Sequence, residues 1–194
     1  SELAQFRLDQ VLKAKGEKAI QAEVAKDNPF TKGSARIDTQ FRIGDSYSYR
    51  EVDLYTKLEL RTFTNSITEI SDSQVVFNGG ILVTDLFGNA IRTPNGWRYT
   101  SFQQFIQEYV VGKKWSTRYK VDQGAMQTEA ELEFRVVARE PVTVPAGTFN
   151  AFRVEGEGWS RGTFPGTVLV KPVYWIAPEV RRPLCSTSHC WRSA

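Results

Sequence analysis

The sequence contains very little histidine and cysteine, the residues on which most nucleophilic and metal-dependent sites depend. Its 194 residues include one histidine, His189, and two cysteines, Cys185 and Cys190, all close to the C-terminal end of the sequence. A Ser-His-Asp or Cys-His catalytic site would have to be built on this end. Tetrahedral zinc needs a fourth ligand, which no other cysteine or histidine can supply. The sequence therefore predicts no catalytic residue, no metal site and no cofactor, and it does not favour an enzyme.

The spacing of the two cysteines favours a disulfide over a metal site. Cys185 and Cys190 are separated by Ser-Thr-Ser-His, a loop short enough to bring the two sulfurs together. Free thiols are the alternative that the sequence leaves open. A local disulfide between Cys185 and Cys190 is what we expect of an exported protein.

Long apolar runs and an excess of one charge are also missing. No run of 18 apolar residues occurs, so the sequence predicts no membrane-spanning segment. The 25 Lys and Arg residues nearly balance the 22 Asp and Glu residues, which disfavours a nucleic-acid partner. Two basic doublets occur, Lys113-Lys114 and Arg181-Arg182. We expect each to be a solvated turn or strand end, because no long basic run surrounds it.

Composition divides the chain into an N-terminal segment and a longer body. The first 30 residues are rich in Ala, Glu, Lys, Gln and Leu up to Asn28-Pro29, which predicts a helical N-terminal arm over 1–30. Beyond Arg36, short runs of Thr, Tyr, Val, Phe and Ile alternate with Gly, Asn, Asp and Pro. This pattern is typical of strands and tight turns, about ten strands in all. We predict a single β domain over 36–184 and a C-terminal tail over 185–194.

Two stretches have the alternation of strands with one buried face. From Glu129 to Arg139, apolar residues alternate with charged ones, as an antiparallel sheet with one solvated face requires. The stretch 57–70 begins with the same alternation at Leu58 and Leu60 and then changes parity near Arg61. A change of parity predicts a bulge, and a bulged strand predicts a curved sheet.

A ten-residue pattern occurs twice without a gap. Residues 41–50 read FRIGDSYSYR and residues 109–118 read YVVGKKWSTR. In each copy a glycine, Gly44 or Gly112, can adopt a positive φ in a turn, and an aromatic residue three positions later can enter the core. We therefore predict two related halves, about 41–100 and 109–184. Together they would form one curved antiparallel sheet, a half-barrel or open barrel, whose concave face the helical arm or a ligand covers.

Three segments resemble a broad group of uncharacterised bacterial exported or lipoprotein-like proteins. They are GKKWSTRY at 112–119, VPAGTF at 144–149 and YWIAPEVR at 174–181. The likeness extends over about 41–184, and Arg181 and Arg182 stand where the group often has Gly and an apolar residue. It implies a periplasmic or outer-membrane-associated protein from which a signal peptide has been removed. The predicted half-barrel is also similar to that of periplasmic lipoprotein-carrier proteins, which hold acyl chains.

Aromatic residues supply the remaining candidates for a binding site, with twelve Phe, seven Tyr and five Trp in the chain. Concave apolar sites with a few polar groups are how β-barrels hold small amphiphiles. Five aromatic residues are candidates for such a lining and two arginines for its polar end. They are Trp97, Trp115, Tyr119, Trp159 and Trp175, with Arg50 and Arg118.

These candidates support two noncatalytic functions. The first is an envelope protein that binds a lipid or another hydrophobic small molecule in a cavity of the curved sheet. The alternative is a structural or protein-interaction module of an envelope assembly, whose edge strands recruit a partner protein. The first predicts a cavity lined by aromatic residues, and the second predicts a packed concave face and an exposed strand edge.

Overall fold

The structure, a computed structural model, describes residues 35–53, 56, 58–100, 102–144, 147–162, 166–186 and 191–193. The helical arm predicted over 1–30 lies outside these residues. Within them the chain forms fifteen strands and two single turns of 3-10 helix, at Asn78–Gly80 and Pro178–Val180. The strands are β1 (Ala35–Arg36), β2 (Ser46–Val52), β3 (Glu59–Ile70), β4 (Gln74–Phe77), β5 (Leu82–Asp85), β6 (Ala90–Arg92), β7 (Arg98–Thr100), β8 (Glu108–Tyr109), β9 (Lys114–Gln123), β10 (Met126–Val144), β11 (Gly147–Gly162), β12 (Thr167–Val170), β13 (Val173–Ile176), β14 (Pro183–Ser186) and β15 (Trp191–Ser193).

Thirteen of these strands form one large antiparallel sheet, which confirms the prediction of a mainly β fold. The strand order is β10-β9-β7-β6-β5-β4-β3-β2-β15-β14-β13-β11-β12, and β10 also pairs with β11. Strands β1 and β8 form a separate two-stranded sheet. Strands β14 and β15 extend into the segment predicted as a tail. Cys185 is half-buried in β14, whereas Cys190 lies outside the described residues, so their disulfide stays a prediction.

Strand β10 has the predicted alternation of buried and solvated residues. Ala130, Leu132, Phe134 and Val136 are buried, and the charged residues between them point to the opposite face. Burial of a large apolar side chain contributes about 1.5–3 kcal/mol. The central hairpin of the sheet, β10 with β11, is therefore fixed in register by the burial of one face.

The start of β3 does not behave as its sequence pattern predicts. Leu58 and Leu60 are 65% and 59% exposed, so their alternation does not mark a buried face. The predicted change of register occurs one residue before Arg61, because Glu51 pairs with Arg61 and Val52 pairs with Glu59. Leu60 is the extra residue of this bulge. An alternating pattern offers an apolar face, and whether anything covers that face depends on the rest of the fold.

The glycines of the repeated ten-residue pattern lie in turns of the same geometry. Gly44 and Gly112 have φ values of 91° and 93°, as a turn with a positive φ requires. The backbone N–H of Gly44 donates to the carbonyl of Ile67 at 2.9 Å, and that of Gly112 donates to the carbonyl of Val136 at 2.8 Å. Each turn thereby joins the strand that follows it to a long strand further along the chain.

The long strands β3 and β10 each donate a backbone hydrogen bond back to the turn that they contact. The N–H of Ile67 donates to the carbonyl of Asp45, and the N–H of Val136 donates to the carbonyl of Lys113, at 2.8 and 2.9 Å. Directly after Ile67 and directly after Val136 the strand register shifts by one residue. The two turns therefore share a glycine conformation, a pair of backbone hydrogen bonds and a following bulge.

Buried side chains form three clusters, one in the first half of the sheet and two around β11. The cluster of the first half is Tyr47, Tyr49, Ile67, Val75 and Phe77. The largest cluster, on one face of β10 and β11, includes Tyr109, Leu132, Phe134, Val136, Phe152, Val154, Tyr174 and Ile176. The third cluster is Phe149, Ala151, Ala177, Val180 and Leu184. Strand β11 is thus covered on both faces between Phe149 and Val154.

Candidate functional site

Trp115 and Tyr119 lie on the core face of β9, and both pack against the protein's own side chains. The ring of Trp115 stacks on Phe134 at 5.3 Å, and its Nε1 donates to the carbonyl of Gln103 at 3.1 Å. The ring of Tyr119 lies 4.2 Å from that of Phe102, and burial raises the pKa of Tyr119 to about 12. Both side chains are nevertheless only half-buried.

Trp159 and Trp175 lie on the opposite face of the sheet. Trp159 in β11 pairs with Glu131, a residue of the charged face of β10. Trp175 in β13 pairs with Arg153, and its Nε1 donates to Oε1 of Glu140 at 2.7 Å. Arg153 lies six residues before Trp159 on β11, so the two tryptophans are roughly 20 Å apart along the strand.

The remaining predicted site residues are also separate from one another. Trp97 lies in the turn before β7, and its backbone carbonyl accepts a hydrogen bond from the N–H of Thr93 at 3.0 Å. Arg118 is exposed on β9, where its Nη2 donates to Oε2 of Glu131 at 2.6 Å. Arg50 lies in β2, and the structure does not describe its side chain. Of the predicted lining residues, Trp115 and Tyr119 therefore lie on one face of the sheet and Trp159 and Trp175 on the other.

A groove of about 680 Å³ crosses the charged face of β9, β10 and β11. Its walls carry three cationic and three anionic side chains, and Lys171 Nζ lies 2.8 Å from Oε1 of Glu157. The six are Lys114, Glu133, Arg135, Glu155, Glu157 and Lys171. The predicted site residue Trp115 also lines the groove, with Phe134, Val137 and Val173. Sites for acyl chains are mostly apolar. With six charged side chains in its lining, this open groove is less suited to a lipid tail than an enclosed apolar cavity would be.

Strand β12 is an exposed edge with apolar side chains on both faces. It is last in the strand order and pairs with β11 alone among the described strands. Val168 and Leu169 are 64% and 63% exposed, and the strand contains neither a charged residue nor proline. Leu169 pairs with Trp159, which places it on the charged face, whereas Val168 and Val170 lie on the core face. An uncharged edge strand of this kind is a template for pairing with another chain.

The free part of β10 has the opposite character. Strand β9 pairs with β10 only as far as Arg135, so the segment 138–144 pairs on one side, with β11, among the described strands. This segment contains Arg139, Glu140 and Pro141, and a register shift lies just before it. Charges, proline and bulges are the features by which natural edge strands avoid pairing with other chains. Within its four residues β12 contains no charge and no proline, although Lys171 and Pro172 follow it directly.

The prediction that Arg181 and Arg182 form a solvated turn is wrong. Arg181 is 4% exposed, and its guanidinium meets Oδ2 of Asp38 at 2.5 Å and Oδ2 of Asp45 at 3.2 Å. Its φ of 63° lies in the left-handed region, where glycine is usual. Burial lowers the pKa of Arg181 to about 10, so the side chain is still charged at neutral pH.

Arg182 is buried beside the first half of the sheet. It is 7% exposed, its guanidinium lies 4.4 Å from the ring centre of Phe77, and its Nη2 donates to Oγ1 of Thr84 at 3.3 Å. A buried cation over an aromatic face gains about 2 kcal/mol when it is desolvated. The arginine doublet therefore ties the C-terminal part of the chain to the first half. No local pattern signals this role, because the partners are 136 and 143 residues distant from Arg181.

Two general findings concern the described residues as a whole. No helix in the described part of the chain is long and apolar enough to cross a membrane. Among the same residues, no group of three or more His, Cys, Asp or Glu side chains could hold a metal ion.

Comparison with known proteins gives a likeness of fold. No family model matches the chain, and no curated protein matches it. A solved structure from Bacteroides fragilis, described as a candidate exported protein with a YmcC-like fold, is 11% identical and has a TM-score of 0.54, with 82% of this chain and 100% of that chain covered. The hypothetical lipoprotein YmcC from Escherichia coli is 16% identical with a TM-score of 0.44, and 72% of this chain and 75% of that chain are covered. The first likeness shows that this chain shares the fold of the Bacteroides fragilis protein.

Proposed function

We propose that the protein is a noncatalytic, exported protein of the bacterial envelope that binds a partner protein by adding a strand of the partner to β12. The observation that carries this proposal is the edge of β12, where Val168 and Leu169 are exposed on opposite faces of an uncharged strand. Peptide recognition by strand addition uses such an edge, with backbone hydrogen bonds for affinity and side-chain contacts for specificity.

The energetics of this edge favour association. Each backbone hydrogen bond formed with a partner contributes about 0.5–1.5 kcal/mol net, because it replaces hydrogen bonds to water. Burial of a valine or leucine adds up to about 1.5–3 kcal/mol. The four residues of β12 and their two exposed apolar side chains therefore supply a gain of the same order as the entropy cost of association.

Lipid binding has less support than protein binding. The rings of Trp115 and Tyr119 are packed on Phe134 and Phe102, and the groove that Trp115 lines also carries six charged side chains. The carboxylates of that groove lie among cationic side chains on an open strand face, which supports a noncatalytic function.

Location in the periplasm or at the outer membrane is supported by two likenesses. The fold is shared with a candidate exported protein, and the motifs at 112–119, 144–149 and 174–181 resemble those of exported or lipoprotein-like proteins. Fractionation of cells that produce the full-length protein tests this location. We expect release by osmotic shock or recovery with the outer membrane, and recovery with cytoplasmic markers would contradict it.

We also infer that the sheet is a curved half-barrel built from two related halves. The turns at Gly44 and Gly112 support duplication, because they share their φ values, their hydrogen bonds and the bulge that follows. Bulges increase the local twist of a sheet, and three of the strand pairings described above contain one. Small-angle scattering of the full chain tests the curvature, since a flat sheet would give a longer maximum dimension.

Site-specific photocrosslinking in living cells tests the binding function. A benzophenone amino acid is placed at Val168, and in a matched control at Val111, a turn residue that is 51% exposed. We expect a protein adduct of one discrete mass from position 168 and none of that mass from position 111. The same adduct from both positions, or no protein adduct from position 168, would contradict strand addition. A lipid adduct from position 168 would support the lipid-binding alternative instead.

A further inference from the structure

We infer that the partner segment is an extended stretch with a carboxylate at each end and apolar residues between them. This inference rests on the proposed function, since it names the chemistry of the strand that β12 would receive. It comes from the charges that flank β12 on the face where Leu169 lies.

A cationic side chain stands at each end of β12. Arg161 of β11 pairs with Thr167, the first residue of β12, and its Nε lies 3.4 Å from Oγ1 of that threonine. Lys171 follows the last residue of the strand and is exposed. Side chains two residues apart share a face of a strand, so this face of the edge presents a cation, Leu169 and a second cation at regular spacing.

Other charges near these cations leave them able to bind a carboxylate. Lys171 pairs with Glu157 at 2.8 Å, but both side chains are exposed, and such surface pairs contribute only about 0–1 kcal/mol. Glu129 lies opposite Arg161 on β10, whereas Nε of Arg161 is directed to Thr167 on the β12 side. The guanidinium of Arg161 also lies over the ring of Trp159, 5.7 Å from its centre. Both cations are exposed beside β12, so a carboxylate on an added strand can approach them.

The core face of the same edge selects apolar residues. Val168 and Val170 lie on this face, Val168 is largely exposed, and Val170 packs against the largest core cluster. A strand added beside β12 would place its second and fourth residues over these valines and its third over Leu169. The complementary segment is therefore acidic, apolar, apolar, apolar, acidic, five residues long.

A second copy of the chain fits this edge less well. Antiparallel pairing of two β12 strands about Leu169 would place Lys171 of one copy opposite Thr167 of the other, beside Arg161 of that copy. Like charges close together across a pairing oppose it. The edge is thus better suited to a different protein that carries acidic residues.

Two synthetic peptides test the inference by fluorescence anisotropy with the full chain. One has the sequence Ser-Asp-Val-Leu-Val-Asp-Ser, and the other has Lys in place of both Asp. We expect the acidic peptide to bind about three- to tenfold more tightly at low salt, because two exposed ion pairs distinguish them. High salt should reduce the difference, and the double variant Arg161→Glu with Lys171→Glu should reverse it.

A matched control variant makes the same change in net charge at two other positions on the same face of the sheet. The double variant Lys114→Glu with Lys120→Glu alters two cations of β9 and should keep the preference for the acidic peptide. Equal binding of both peptides to the unaltered protein would overturn the charge inference and leave strand addition standing. Binding of neither peptide would count against both. Concentration-dependent dimers that Leu169→Lys abolishes would show that a second copy is the partner.

Discussion

The first half of the sheet runs from the Gly44 turn through β2 and β3 into β4, β5, β6 and β7, and each of these last four strands is paired on both sides. The second half runs from the Gly112 turn through β9 and β10 into β11, β12, β13 and β14, and β12 is paired on one side only among the described strands. The shared turn and bulge therefore do not determine how the strands that follow them are paired. The segment 59–65 of β3 also pairs on one side only among the described strands, with β2, but it contains Glu59 and Arg61, whereas β12 contains no charged residue. This lack of charge makes the edge of β12 the candidate for function.

The largest expected effect concerns Arg181, whose ion pairs with Asp38 and Asp45 connect the C-terminal part of the chain to the first half. Arg181→Met should lower the free energy of unfolding by about 3 kcal/mol, because Asp38 and Asp45 would lose the buried cation that pairs with them. Urea denaturation measures this loss. Arg42→Met, at an exposed position in the Gly44 turn, is the control and should change the free energy of unfolding by less than about 0.5 kcal/mol. A loss below about 1 kcal/mol for Arg181→Met would mean that the halves are held together by other contacts.

The next effect tests whether the two turns are equivalent. Gly44→Ala and Gly112→Ala should each lower the free energy of unfolding by about 1–2 kcal/mol, because both glycines have a φ near 90° that an L residue adopts only with strain. An added Cβ would meet no atom within 4 Å at either position, so the cost is that of the backbone alone. Thermal and urea unfolding of both variants should agree within about 0.5 kcal/mol. A cost confined to one turn would contradict the equivalence.

The smallest effect concerns Glu179, which lies in the turn before Arg181. Burial raises the pKa of Glu179, so the folded protein holds this proton more tightly than the unfolded chain. A raised folded pKa gives stability at low pH that is lost as the pH rises through that pKa. Glu179→Gln removes this loss. As the pH rises from about 4 to about 7, the free energy of unfolding of the variant should therefore increase relative to that of the unaltered protein, by less than about 1 kcal/mol. Urea denaturation at both pH values checks this, and a relative loss at pH 7 would show that attraction to Arg139 outweighs burial.

The sequence predicts the local structure of this protein better than its long-range contacts. Alternation in β10 identifies a strand with one buried face, and the glycines at 44 and 112 identify two turns. Both features depend on neighbours in the sequence. The same kind of pattern misleads at Leu58 and Leu60, because alternation shows which residues could be buried but not what covers them.

The position of β12 at the edge of the sheet depends on pairing between strands that are far apart in the sequence. The residues Thr-Val-Leu-Val of β12 have the composition of a core strand, and only the order of the strands places them at the end of the sheet. The predicted ligand site depends on residue type, and the sheet places Trp115 and Tyr119 on one face and Trp159 and Trp175 on the other. Arg181 was predicted to be solvated for the same reason, since its partners Asp38 and Asp45 are far away in the sequence.

The most direct test of the β12 edge compares two leucines of similar exposure. Leu169 in β12 and Leu60 in β3 are 63% and 59% exposed, and each is changed to Lys in a protein that carries the benzophenone amino acid at Val168. A charge on an edge strand discourages pairing with another chain. We predict that Leu169→Lys abolishes the protein adduct and that Leu60→Lys leaves it unchanged, with similar unfolding free energies for the two variants. An adduct that survives Leu169→Lys, or that is lost equally in both variants, would contradict strand addition at β12.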